Sequence, residues 1–210
     1  MSETPAPGAT PQLHGIDVSH YQGAVDWPAV AAGGMAFAFV KATQGTSSVD
    51  PLFSQNWNGV QAAGLLRGAY HFFQPGEDPA AQAAHFLSVV PCTAGDLPPV
   101  LDVETAGSLT PAEIVQGIET WLAAVEAAAG CAPIVYTAPR FWDSLGTAAF
   151  GRFPLWVAEY GVSTPKLPAG WTSWSFWQSS ESGQAAGVHG NVDLDVFQGS
   201  LEDLHLLTAR

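Results

Sequence analysis

Eight short, mostly apolar runs recur along the chain: GIDVS (15–19), MAFAFVKAT (35–43), LLRGAYHFF (65–73), PPVLDVE (98–104), APIVYT (132–137), PLWVAEY (154–160), SWSFWQS (173–179) and NVDLDVF (191–197). Runs of this length, rich in β-branched and aromatic residues and separated by helix-like segments, suit strands covered on both faces. The helix starts are well marked. Thr110-Pro111-Ala112-Glu113 places an N-cap Thr before a Pro at the first helical position, with Glu three residues after the cap, which is a capping box. Ile114, Ile118, Trp121, Leu122 and Val125 follow at helical spacing, and Gly130 can close the helix. Asp50-Pro51 and Asp78-Pro79 are expected to open two further helices in the same way, the first carrying Phe53, Trp57 and Val60 and stopping at Gly64.

The alternation changes after residue 160. Segments 161–172 and 180–190 are rich in Gly, Ser, Pro and Thr and short for helical crossovers, which need a dozen or more residues between parallel neighbours. The last three strands are therefore expected to join as antiparallel hairpins. Five βα units followed by three strands make eight, the number that closes a small barrel. The expected fold class is α/β: an irregular TIM-like (β/α)5β3 barrel of eight strands and about five helices, in a single domain. A chain of 210 residues can bury the core such a domain needs. Residues 1–12, MSETPAPGATPQ, read as a disordered tail without a secretory signal, and 13–210 as the barrel.

Charge narrows the partners. The formal net charge is −13, with only two Lys and four Arg. A nucleic-acid binder would carry a basic stripe, and an anionic membrane surface would repel this chain. No apolar run approaches the roughly 20 residues of a membrane span. Nucleic acid and membrane are thus not expected partners, and a monomer is expected. Cys92 and Cys131 each follow a helix-like segment and precede a strand-like one, which would put them at the same end of the sheet. Two buried thiols and one disulfide are both compatible with that placement.

In a βα barrel, chemistry sits at the C-terminal ends of the parallel strands. Asp17 falls near the end of the first strand, and Asp102 and Glu104 end the fourth; Asp193 lies in the last, which can run the other way. Side chains two apart on a strand share a face, so Asp102 and Glu104 point inward together while Leu101 and Val103 face the helices. Buried acids must be paired, hydrogen-bonded or protonated, and clustered ones push their pKa values apart. A neutral acid beside an ionised carboxylate is the pair that glycoside hydrolysis uses. Taken alone, a D-x-E at a strand end is as readily a helix cap or an ion-pair partner. A divalent-metal site built from Asp17, His20, His71, Asp102, Glu104, His189 and Asp193 is a further alternative, but no metal-ligand spacing supports it, and neither metal nor cofactor is expected. Tyr beside carboxylates at a barrel mouth offers a flat face and a hydroxyl to a sugar ring.

The blocks HGIDVSHYQGAVDW (14–27), FAFVKATQGTSSVDPLFSQNW (37–57), GLLRGAYHFFQP (64–75), PPVLDVET (98–105), PIVYT (133–137), PLWVAEY (154–160) and FWQSSESGQAAGVHGNVDLDVF (176–197) together resemble glycoside hydrolase family 25, the Chalaropsis-type lysozymes. The resemblance spans residues 13–207, nearly the whole chain. It implies a barrel of eight strands and five helices, and cleavage of the β-1,4 bond between N-acetylmuramic acid and N-acetylglucosamine in bacterial peptidoglycan. It also implies roles: Glu104 as general acid/base, Asp102 as the carboxylate stabilising the reacting sugar, Asp17 as a floor acid and Asp193 as a fourth, orienting acid. Tyr21, Tyr70, Phe72, Tyr136, Tyr160, Trp177 and Gln178 are the expected substrate-binding residues.

Two positions depart from the family pattern, Asp195 where Asn is frequent and Ser179 where Tyr is frequent, which puts the cleft lining near Ser179 in question. Because Asp102 and Glu104 approach the sugar from a similar side, the expected mechanism is retaining and substrate-assisted, with the sugar's 2-acetamido group attacking the anomeric carbon. The acidic charge suggests work at low pH or high salt. A chitinase-like hexosaminidase and an inactive wall-binding module are the competing readings; GIDVS and NVDLD argue against the first, and four clustered acids against the second. The expected place of action is outside the cell or at the cell wall, whether by secretion, as a phage endolysin or as an injected effector.

Overall fold

The computed structural model describes residues 12–208. The expected tail therefore lies outside the described residues except for Gln12, which opens the first strand. The strands are β1 (Gln12–Val18), β2 (Phe37–Gln44), β3 (Ser48–Val49), β4 (Leu66–Phe72), β5 (Val100–Asp102), β6 (Ile134–Thr137), β7 (Leu155–Ala158), β8 (Phe176–Gly183) and β9 (Val192–Gln198). They hydrogen-bond in the order β1-β9-β8-β7-β6-β5-β4-β2-β3, and β1 also pairs with β2, which closes an eight-stranded barrel and leaves β3 as a short flap on β2. The helices are α1 (Trp27–Ala32), α2 (Phe53–Ala62), α3 (Pro79–Val89), α4 (Pro111–Ala129), α5 (Pro139–Ser144) and α6 (Leu201–Leu206). The first five cross over between neighbouring strands, as the barrel reading requires.

Two expectations need correction. The last three strands are not all antiparallel: β8 runs parallel to β7, and only β9 reverses, pairing antiparallel with both β8 and β1. The link from β7 to β8, residues 159–175, crosses over as irregular chain instead of a helix. The second concerns Asp50, which does not cap α2. Its carboxylate accepts instead from the backbone of Leu52 and His20, and α2 starts later, at Phe53. Asp78 and Thr110 do cap their helices, accepting from Ala81 N and Glu113 N, and Gly130 ends α4 in the left-handed conformation.

Period-two alternation sorts the core into two layers. Phe37, Phe39, Val100, Ile134, Trp156, Phe176 and Phe197 point inward and fill the barrel, with the Phe39 ring stacked on Trp156 at 4.4 Å. Ile16, Ala38, Val40, Leu101, Val135 and Val157 point outward under the helices. Inward aromatics need space from their neighbours, and glycine supplies it. A Cβ at Gly15 would sit 2.5 Å from the Phe37 ring, and one at Gly68 would sit 2.4 Å from the Phe39 ring. At the opposite end from the acids, α6 follows β9 and drives Leu204, fully buried, into the inner cluster as a plug. Cys92 and Cys131 stand at this same end, ahead of the neighbouring strands β5 and β6.

The outer layer also buries polar groups that steer the strands. His71 is fully buried between Tyr70 and Phe72, facing outward and stacked on Trp121 at 5.6 Å. Gln82 Nε2 donates to the carbonyls of Gln74 and Glu77, so its Oε1 must accept from His71 Nε2 at 3.0 Å. Nδ1 of His71 is then the acceptor of the Thr43 hydroxyl at 2.7 Å. Arg67 is held by Asp96 at 2.7 Å and lies 4.1 Å from the centre of the Trp57 ring.

Candidate active site

A solvent-open cavity of about 190 Å³ sits at the C-terminal ends of the parallel strands. Strand β1 contributes Asp17; β5 contributes Asp102, and Glu104 follows just past its end. Because β9 runs backwards, its first residues rather than its last reach this mouth, and Asp193 stands directly opposite Asp17. All four expected acids therefore line one cavity, together with Tyr21, Tyr70, Phe72, Tyr136 and Gln178.

Two expected cleft residues are placed differently. Trp177 precedes the inward-facing Gln178, so alternation sends its ring to the outer layer, where Nε1 donates to the Glu159 carbonyl at 2.8 Å. Tyr160 is not among the cavity-lining residues; it stays exposed and donates its hydroxyl to Gln178 Oε1 at 2.6 Å. The mixed histidine–carboxylate cluster does not assemble. His71 faces away, and His20 Nδ1 is engaged by Asp50 at 2.7 Å.

Gln178 ties the cavity floor together. Its Nε2 donates to Asp17 Oδ2 at 2.7 Å, while its Oε1 accepts the Tyr136 hydroxyl at 2.8 Å as well as that of Tyr160. In this orientation the amide gives Asp17 a donor and both phenols an acceptor, and the flipped amide would set its carbonyl against the Asp17 carboxylate.

The acids are strongly perturbed. Burial pushes Asp102 well above the usual carboxylate range, neighbouring Glu104 pushes it further, and Lys41 opposes both. Glu104 reaches solvent, yet its surroundings still raise it by desolvation, against the neighbouring Tyr136 hydroxyl and the charge of Lys41. Two acids this close cannot both ionise readily, so the pair retains a proton. Asp102 Oδ1 is buried and receives no donor from the protein. Asp17 is raised by burial, then by Asp195 and Asp193.

The sequence reading missed several lining residues. Lys41 is the cation of the cavity lining, its Nζ donating to Gln44 at 2.9 Å and lying 4.9 Å from the Phe72 ring centre. The signal was available, since Phe37, Phe39 and Lys41 share one strand face, and the register shift between Lys41 and Thr43 ends that alternation. Trp156 also reaches the cavity. Ser19 and Gln22 do so through a short 3-10 turn, His20–Gln22, that they cap reciprocally.

The family model Glycosyl hydrolases family 25 matches residues 16–188. An uncharacterised protein of Escherichia coli K12, YegX, is 43 % identical over 197 residues, spanning 91 % of this chain and 72 % of that protein. Lysozyme M1 of Streptomyces globisporus is 39 % identical over 212 residues, spanning 94 % of this chain and 71 % of its own. A solved bacterial lysozyme from Streptomyces coelicolor superposes with a TM-score of 0.90 at 37 % identity, covering 95 % of this chain and 98 % of that one.

Proposed function

The chain belongs to glycosyl hydrolases family 25 and is a peptidoglycan hydrolase of the lysozyme type, and from this premise we propose how its cleft works. The bond cut is the β-1,4 link from N-acetylmuramic acid to N-acetylglucosamine. The observation that carries this reading is the meeting of Asp102 and Glu104 at an open barrel mouth, with Asp17 and Asp193 on the facing strands.

Glu104 is the general acid. It is the solvent-reached member of the pair, and its raised pKa keeps a proton available for the leaving oxygen. Asp102 orients the 2-acetamido group. Its partnerless Oδ1 supports this role, because a substrate N–H would supply the donor the protein withholds. The acetamido oxygen then attacks the anomeric carbon as Glu104 protonates the departing sugar, and water, deprotonated by Glu104, opens the cyclic intermediate with net retention. Lys41 moderates the charge of the pair from beside it. Asp17, Gln178 and Tyr136 form the rigid floor, and Tyr21, Tyr70 and Phe72 offer faces to the sugar rings. No helix among the described residues is long and apolar enough to cross a membrane. The protein acts on the cell wall, as a monomer and outside the cell that makes it or after delivery to the wall.

The test is digestion of purified peptidoglycan. Mass spectrometry of the released fragments should find muramic acid at the new reducing ends, and chitin should remain uncut. Reducing-end N-acetylglucosamine would overturn the bond assignment.

A further inference from the structure

Asp195 takes no part in the chemistry above, yet it is the most enclosed acid at the site, 1 % exposed on the inward face of β9. Trp156 Nε1 donates to its Oδ1 at 2.9 Å. Its Oδ2 is buried and receives no N–H or O–H donor. The register sets Asp195 beside Gly15 of β1 and Gln178 of β8, on the same inward face as Asp17, which stands opposite Asp193 and is within hydrogen-bonding reach of both acids. A buried carboxyl oxygen that lies against a second carboxyl and receives no other donor is satisfied by a proton between them.

We propose that Asp195 and Asp17 share a proton, and that Asp195 is thereby a positioning residue that pins Asp17 against Gln178 and, through it, Tyr136 and Tyr160. The charged or titratable groups facing Asp195 are Asp17 from β1 and Asp193 from β9 itself; β7 and β8 present Trp156 and Gln178, which are uncharged. Lys41 acts on Asp102 and Glu104 instead. Loss of the shared proton would leave adjacent buried charges with no cation beside them, which pushes Asp17 off Gln178. Burial and Asp193 both favour keeping the proton, against the Trp156 hydrogen bond and the contact with Asp17.

Asp195→Asn keeps the shape and gives Asp17 a permanent N–H donor. Relative to wild type, its infrared spectrum at neutral pH should lose intensity in the carboxylic-acid C=O band. Its Tm should fall less steeply as pH rises above the ordinary carboxylate range, because the folded state no longer holds that extra proton. Trp156→Phe should act in the opposite sense: without its N–H the anion is harder to form, so the acid band persists to higher pH. A wild-type acid band and Tm–pH slope that neither substitution moves would overturn the shared proton, whereas a purely structural role would lower Tm equally at every pH. Both readouts are independent of wall lysis, so an enzyme inactive on peptidoglycan would count against the proposed function and leave this inference standing. If Asp195→Asn does not fold, the Trp156→Phe shift decides alone.

Discussion

Gln178 and Asp17 are 161 residues apart in sequence, and the amide of the first donates to the carboxylate of the second at 2.7 Å. The same amide accepts two phenols, so one side chain sets three groups of the site. Gln178→Glu keeps the acceptor for Tyr136 and Tyr160 but replaces the donor to Asp17 with another acid. Lysis at neutral pH should fall by about 10²-fold, the scale of a small misplacement of site groups. Lowering the pH protonates the new acid and restores the donor, so kcat should partly recover. A pH profile parallel to wild type would show that the contact does not orient Asp17.

Glu104→Gln keeps the shape of the proposed general acid but carries no transferable proton. Wall lysis should fall by about 10² to 10⁴-fold with Tm not lowered. Retention of more than roughly a tenth of wild-type activity would contradict the assignment.

Asp102→Asn should be milder than Asp102→Ala, because the Asn carbonyl can still accept the acetamido N–H. Proton NMR of the first-formed product should show the β-anomer. An α-anomer would exclude substrate assistance with retention, and a glycosyl ester trapped on Asp102 would replace it with direct attack.

His71 sets an acid limit on stability. Burial holds it down to about 4, from 6.5 in a free chain. Its folded pKa is the lower one, so its contribution is complete above pH ~6.5 and is lost as pH falls toward ~4. The loss is at most about 3 kcal/mol over that window. His71→Gln should flatten the decline of Tm across it, and an unchanged acid slope would show that the ring is not held neutral.

Gly68→Ala places a methyl group where the Phe39 ring lies, 2.4 Å from the new Cβ. Overpacking of this kind typically costs about 1–3 kcal/mol. Thermal unfolding should record the loss. Since Phe39 stacks on Trp156, which lines the cavity, KM should also rise.

The barrel was legible because burial on both faces writes itself into apolar runs, and the capping box at Thr110 and the Asp78-Pro79 start survive into the structure unchanged. Inward placement of Asp102 followed from period two alone. What escaped depended on other rules. The direction of β8 was set by a loop long enough to cross over without a helix, which composition does not reveal. The family resemblance puts Trp177 at the cleft, yet its neighbour Gln178 faces inward, so alternation turns the Trp177 ring outward. Lys41 shares the inward face of Phe37 and Phe39, but its place at the cavity depends on the register shift after it, which no local pattern announces. Gln178 was expected at the substrate, but its role as the common partner of Asp17, Tyr136 and Tyr160 depends on a closure that no local pattern contains.

The reversed strand β9 also fixes when activity can arise during synthesis. Asp193 meets Asp17 only after the last strand has left the ribosome and inserted between β8 and β1. Such distant pairing is slow to form. The first 190 residues can be made, and several of their βα units can pack, while the cleft still lacks one wall and one of its acids. A product cut short before β9 would carry Glu104 and Asp102 on a central strand of a sheet left open between β8 and β1, and would be inert toward the wall.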